Sequence, residues 1–246
     1  YSNALKHGKG KYIWADGSVY EGNYCNDQPH GHGKSRRADG VVYEGNWFYG
    51  NWHGKGIATD ADGTRYEGDF FDGKYHGKGK YYWANGSSYD GDWFDGNRQG
   101  LGIYVYPDGS VYKGEHFRDR PHGEGKLIMA NGDIYEGGMF YGRRHGKGKW
   151  IHADGSNYEG DWVEDQMHGY GKFFYHMSGK IYEGFWLEGE QHGIGKMSSP
   201  DGTTYEGDFV ESVPHGKGIY TTPDGNVLEG EWSDGILMEE NLEPDA

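Results

Sequence analysis

A tyrosine returns every 23 residues along this chain: Tyr20, Tyr43, Tyr66, Tyr89, Tyr112, Tyr135 and Tyr158, then Tyr182, Tyr205 and Leu228 after a one-residue insertion. Nearly all of these positions open the tripeptide Tyr-Glu-Gly or a close variant of it. A fixed period of this length marks a repeat architecture, in which each unit packs on its neighbours. The period also bounds function. Every candidate site has about ten near-copies, so a reaction centre built on one special residue has no obvious place.

Composition agrees with repeated local order. Glycine supplies 47 of 246 residues and mean hydropathy is -0.98, yet aromatics reach 17%. Disordered chains lack such aromatics, and here they fall in register, so the expected core is a long thin seam. A net charge of -15 disfavours nucleic acid and anionic membranes as partners of the whole surface. The basic clusters Lys34, Arg36 and Arg37, Arg118 and Arg120, and Arg143 and Arg144 read as solvated loop and edge charge. Cys25 is the lone cysteine, which rules out an intrachain disulfide and favours a reducing compartment. Asn85-Gly86-Ser87 reads as a turn rather than a glycosylation site. No stretch resembles a signal peptide or approaches the length of a membrane span. Without an initial Met, the chain opens in mid-repeat, with Tyr1 at the position of Tyr24, Trp47, Phe70 and Trp93. The expectation is a piece of a longer array.

One unit, from Gly8 to Tyr24, consists of two aromatic, alternating stretches around Ala15-Asp16-Gly17, which is a hairpin signal. No segment carries a helical period. Three units have Pro before Asp-Gly, at Pro107, Pro200 and Pro223. A two-residue loop would put Pro where the closing pair needs its N–H, whereas a three-residue loop puts it at the first corner of a type I turn. The three-residue loop predicts Lys11 opposite Glu21, Gly10 opposite Gly22 and Tyr12 opposite Tyr20. It also pairs Lys34 with Glu44, Lys80 with Asp90, Lys126 with Glu136, Lys149 with Glu159, Lys196 with Glu206 and, with the insertion placed near Met177-Ser178, Lys172 with Glu183. Ile57, Ile103 and Ile219 take the Lys position in three units, and Ile103 is the partner of Lys113, so no like charges meet.

The aromatic row lies on the other face. The late aromatic of each unit faces a glycine of the His-Gly-x-Gly segment, as Phe70 faces Gly54, and that glycine leaves room for a ring. The predicted fold is all-β: an elongated, twisted, single-layer antiparallel array of about ten β-hairpins over residues 1–235, roughly 95 Å long at the usual strand spacing, followed by an acidic tail, 236–246. A single layer leaves one flank of the aromatic row accessible. The candidate partner-binding residues are therefore Tyr20, Tyr43, Trp47, Tyr66, Phe70, Tyr89, Trp93, Tyr112, His116, Met139, Tyr158, Trp162, Trp186, Phe209 and Trp232.

These motifs (Tyr-Glu-Gly-x-Trp, a short loop, His-Gly-x-Gly, then Asp-Gly) resemble the MORN repeat, the membrane occupation and recognition nexus, over almost the whole chain. The resemblance implies rows of antiparallel hairpins and a structural or protein-binding role, as in radial-spoke and other cytoskeletal scaffolds. It points to a cytoplasmic or axonemal scaffold that holds a helical or extended segment of a cytoskeletal subunit. Two alternatives are a phosphoinositide-binding module, which the acidic surface disfavours, and the regulatory repeats of a larger enzyme. Open strand edges invite self-association, so a homodimer is among the expected partners.

No chemistry emerges from the other residues. His7, His30, His53, His76, His122, His145, His168, His192 and His215 share one loop position, but equivalent positions in neighbouring hairpins lie near 10 Å apart, too far to share a metal. A ring nitrogen capping a loop is the expected role. No catalytic residue, metal or cofactor is expected. Departures from the pattern gather mid-array at Gln99, Leu101, Lys113, His116 and Met139, readable either as drift or as a bend or docking patch over 99–140.

Overall fold

Each Asp-Gly reverses the chain in a three-residue loop. In the computed structural model, which describes residues 5–238, Trp14 N donates to Ser18 O at 2.9 Å and Gly17 N donates to Trp14 O at 3.0 Å. Gly17 takes φ +87°, a left-handed conformation that costs glycine little. The Asp16 carboxylate accepts the Ser18 N–H at 2.9 Å, and this bond holds its carboxyl below the ordinary value. The register follows: Lys11 faces Glu21, Gly10 faces Gly22 and Tyr12 faces Tyr20. The insertion is absorbed in the loop after Tyr175, so Lys172 still faces Glu183. The resulting ion pairs, such as Lys34–Glu44 at 2.9 Å and Lys196–Glu206 at 3.0 Å, are exposed. Exposed pairs of this kind add little to stability because solvent screens them, so they serve register more than stability.

A second turn alternates with the first. Tyr49 and Gly50 both take positive φ, +45° and +88°, and Phe48 faces Asn51, which defines a two-residue type I′ turn. A bulge follows it. Gly45 faces Gly56 but Trp47 faces Trp52, so Asn46 alone lies opposite His53, Gly54 and Lys55. Gly54 absorbs the extra residues with φ +62°.

Among the described residues there are 21 strands and no helix. They belong to two compact units that divide after Gly123. In the first, the strands from Gly8–Ile13 to Val111–Phe117 form an antiparallel meander in which each pairs with the next. The second repeats the pattern from Ile134–Phe140 onward. It ends on the two-residue strand Ile236–Leu237, paired with Trp232 and Ser233. Of the acidic tail expected at 236–246, residues 239–246 lie outside the described ones.

The tyrosine of each repeat lies flat across two glycines. The Tyr43 hydroxyl donates to Asn46 O at 2.7 Å, the carbonyl that the bulge turns inward. Equivalent bonds run from Tyr20, Tyr66, Tyr89, Tyr112, Tyr135, Tyr158, Tyr182 and Tyr205, each to the carbonyl three residues on. Where the late aromatic is Trp, its indole N–H donates to a glycine carbonyl of the preceding strand, as Trp93 does to Gly79 O at 3.1 Å. A Cβ at Gly56 would fall 2.6 Å from Tyr43 Cζ. Gly56→Ala is therefore expected to destabilise the first unit by about 3 kcal/mol, the upper end for overpacking. Gly73→Ala in the type I′ turn (φ +79°, with open space around it) is expected to cost only about 1–2 kcal/mol of backbone strain. Urea denaturation of the two variants checks the order.

Candidate functional site

The two faces of each sheet are chemically distinct. One holds the aromatic row, and all fifteen residues expected to contact a partner are on it or fill its pockets. Each is at most 9% exposed in the folded chain. Their burial comes from neighbouring repeats. Tyr66 meets Phe70 edge-on at 4.9 Å within its own strand and Trp93 of the next repeat at 5.4 Å. Tyr158 does the same with Trp162 and Trp186. Burial pushes the Tyr20 phenol up to about 12, so these hydroxyls stay protonated and act as hydrogen-bond donors.

An outer aromatic layer covers this row in the first unit. Trp52 stacks on Tyr43 at 4.4 Å and 8°, and Tyr75 stacks on Tyr66 at 4.0 Å. Tyr81, Trp83 and Tyr104 extend the layer, and all five are half-buried. Arg98 takes the Trp52 position in its repeat. Its guanidinium lies 4.7 Å from the Tyr104 ring centre and 5.5 Å from that of Trp83, and its Nε donates to Asp119 Oδ1 at 3.3 Å. Arg144 repeats the arrangement in the second unit, 4.2 Å from Trp162 and bonded to Asp165. Read from sequence as a solvated charge, Arg144 is four-fifths buried at its side chain, because a cation over an indole face replaces the aromatic of other repeats. Arg143 is exposed and pairs with Glu164 at 2.7 Å.

The mid-array departures divide between core and surface. His116 and Met139 fill the buried pocket that Trp occupies elsewhere, whereas Leu101 is exposed. The His116 ring sits edge-on between Tyr89 at 4.9 Å and Tyr112 at 5.1 Å. Its Nδ1 lies 3.2 Å from Gly114 O and its Nε2 is buried without a hydrogen-bond partner. Burial, with the Arg98 charge nearby, holds its pKa down at about 4.

The opposite face carries the Lys–Glu ladder and, beside the type I′ turns, a second column of rings. His30, Phe48, His53, Phe71, His76 and Phe94 follow one another with centroids 5.1–5.5 Å apart. Of the histidines expected to cap a loop, His53 and His76 each lie tilted between two phenylalanines, and His30 Nδ1 is buried with no hydrogen-bond partner. Phe48, Phe71 and Phe94 are more than half exposed. Their signal was present in the sequence as the residue after each late aromatic. An open groove of about 590 Å³ runs between the column and the ladder, floored by Gly45, Gly56, Gly68 and Gly79 and walled by Glu44, Lys55, Glu67 and Lys80.

Family comparison agrees with this geometry. The MORN repeat matches in ten consecutive copies, at residues 1–19, 20–42, 43–65, 66–88, 89–111, 112–134, 135–157, 158–180, 182–204 and 205–227. The chain belongs to the MORN-repeat family. No curated protein matches it closely enough to count as a relative. Among solved structures it is similar to the TCP10 domain of Danio rerio CPAP in complex with a peptide of Danio rerio STIL. The identity is 14% over 91% of this chain and 99% of that one, with a TM-score of 0.45. It is also similar to the Drosophila melanogaster SAS-4 TCP domain in complex with a proline-rich motif of Ana2, at 14% identity over 71% and 88%, TM-score 0.40. At these scores the likeness does not bear on function.

Proposed function

We propose that the chain is a non-catalytic scaffold that binds a helical or extended segment of another protein. One observation carries this reading: Trp52, Tyr75, Tyr81, Trp83 and Tyr104 stand partly exposed over the buried tyrosines. Aromatic side chains give large contact area at low entropic cost and are enriched at protein interfaces. The fifteen buried residues enter this reading as the rigid floor on which the contact layer rests. A cytoplasmic setting on the cytoskeleton, in an axoneme or radial spoke, is part of the proposal and rests on the family and on the lone Cys25. Lipid binding and an enzyme-appendage role are the competing readings, and a homodimer is an outcome the test below can register.

The test is affinity purification of the intact chain from a cytoskeletal extract, with a Trp83→Ala/Tyr104→Ala variant in parallel. Circular dichroism confirms that the variant is folded. The expected result is a defined set of proteins captured by the wild type and depleted at least tenfold on the variant. Equal capture by both, or recovery only on phosphoinositide liposomes, overturns the proposal.

A further inference from the structure

Between the ring column and the Lys–Glu ladder, one row is charged in most repeats: Lys55 pairs with Asp69 at 2.7 Å, Lys78 with Asp92, and Lys147 with Asp161 at 2.6 Å. In the second unit this row becomes apolar over three neighbouring strands. Tyr170 and Phe185 are cross-strand partners with rings 5.6 Å apart, edge to face. Ile194 holds the same row on the following strand, where it faces Asp208. Their exposures are 48%, 50% and 65%, and Leu187, two residues beyond Phe185 on the same face, is 42% exposed. Strand alternation puts all four on the ladder face, so the core has no use for them. A contiguous apolar patch left in water marks an interaction surface.

The rim of the patch says what fits. Glu188 sits in the adjoining type I′ turn, and Glu190 faces Leu187 across the pair. The next turn is brought alongside by the bond from Ser212 N to Gln191 O at 3.0 Å, which carries Glu211 to the same edge. None of these three carboxylates has an ion-pair partner among the described residues, unlike Glu183, which is held by Lys172 at 3.2 Å. The whole second unit is acidic: residues 124–246 hold nine Lys and Arg against 23 Asp and Glu, while residues 1–123 hold 15 against 16. A second copy of this patch would bring like charges face to face, and an anionic lipid surface would be repelled.

Building on the scaffold reading above, we propose that this patch docks a basic amphipathic segment of a partner protein. The partner's apolar side chains lie on Phe185, Ile194 and Leu187, and its Lys or Arg residues reach Glu188, Glu190 and Glu211. The apolar contacts supply affinity and the carboxylates supply orientation and speed of encounter.

The test uses the full chain and a fluorescent amphipathic peptide of leucine and lysine as the probe, read by anisotropy. The wild type is expected to bind it. Binding should weaken at least tenfold for Phe185→Ser/Ile194→Ser and for Glu188→Lys/Glu211→Lys, and a leucine–glutamate peptide of the same pattern should not bind. These side chains are exposed, so thermal unfolding should be unchanged, and Ile194→Ser alone provides a milder variant. Undiminished binding by the apolar variants, or equal binding of the glutamate peptide, overturns the proposal. The Trp83→Ala/Tyr104→Ala variant separates this site from the general reading, because it should lose its captured partners and retain the peptide. If instead the patch variants keep the peptide while capture still depends on Trp83 and Tyr104, this site falls and the scaffold stands.

Discussion

Replacing Tyr158 with alanine is expected to destabilise the second unit by about 3–5 kcal/mol, the usual range for emptying a buried aromatic site. The ring is fully buried and held on several sides. Trp162 and Trp186 meet it edge-on at 5.2 and 5.3 Å, and its hydroxyl donates to Asp161 O at 2.9 Å. Beneath it are Gly160 and Gly171, which have no side chain to fill the space and whose positions in paired strands prevent collapse. Tyr158→Phe keeps the ring and loses the hydroxyl, leaving a carbonyl without its partner, which costs about 1–3 kcal/mol. Urea denaturation gives the totals. Hydrogen exchange over residues 157–187 should locate the loss near the site, because stability in a repeat array is a sum of local and nearest-neighbour terms.

Acid should selectively weaken the first unit through His116. Its folded pKa, held down at about 4, lies below the ordinary histidine value of about 6.5, so the folded state binds fewer protons between those limits. The stability this neutral ring contributes is fully present above about pH 6.5 and is lost as pH falls through about 4. A shift of that size corresponds to up to about 3 kcal/mol, of which about 2 should be gone at pH 5. The groups around the ring explain the direction. Tyr89 and Tyr112 enclose it edge-on, Arg98 adds a positive charge, and Asp119 offsets that charge only in part. His116→Phe should remove this pH dependence, since Phe70 and Phe209 already fill the equivalent pocket. His116→Trp should also raise stability at neutral pH, because five tryptophans at this position donate to a glycine carbonyl. Denaturation of wild type and both variants at pH 7.5 and pH 5 checks the sign and the size.

Much of the fold was legible in advance because its signals are local. Pro107 before Asp108-Gly109 dictates the loop length, the loop length dictates the register, and the register brings Lys34 to Glu44. The type I′ turns were legible only as short loops. Asp72-Gly73 and Asp95-Gly96 carry the usual signal, but Tyr49, Arg118 and Glu188 take positive φ with no such residue type to announce it. The site was less legible. Tyr81 and Tyr43 are the same residue type in alternating strands, yet one is half-buried in the outer layer and the other is wholly covered. Only the rings of adjacent hairpins decide which is which. Tyr170, Phe185 and Ile194 look unrelated along the chain, and pairing alone brings them together.

By itself, then, the sequence determined the period, the hairpins, the Asp-Gly loops and the charge ladder, all of which depend on turn chemistry and on residues directly opposite one another. The tertiary structure decided which aromatic rings are floor and which are surface. The bulge at His53-Gly54-Lys55 shifts the pairing by two residues and aims the Asn46 carbonyl at the Tyr43 hydroxyl, and the next repeat closes over the ring through Phe70 at 5.1 Å. Burial is a property of neighbours in space, and period alone does not say how closely they approach.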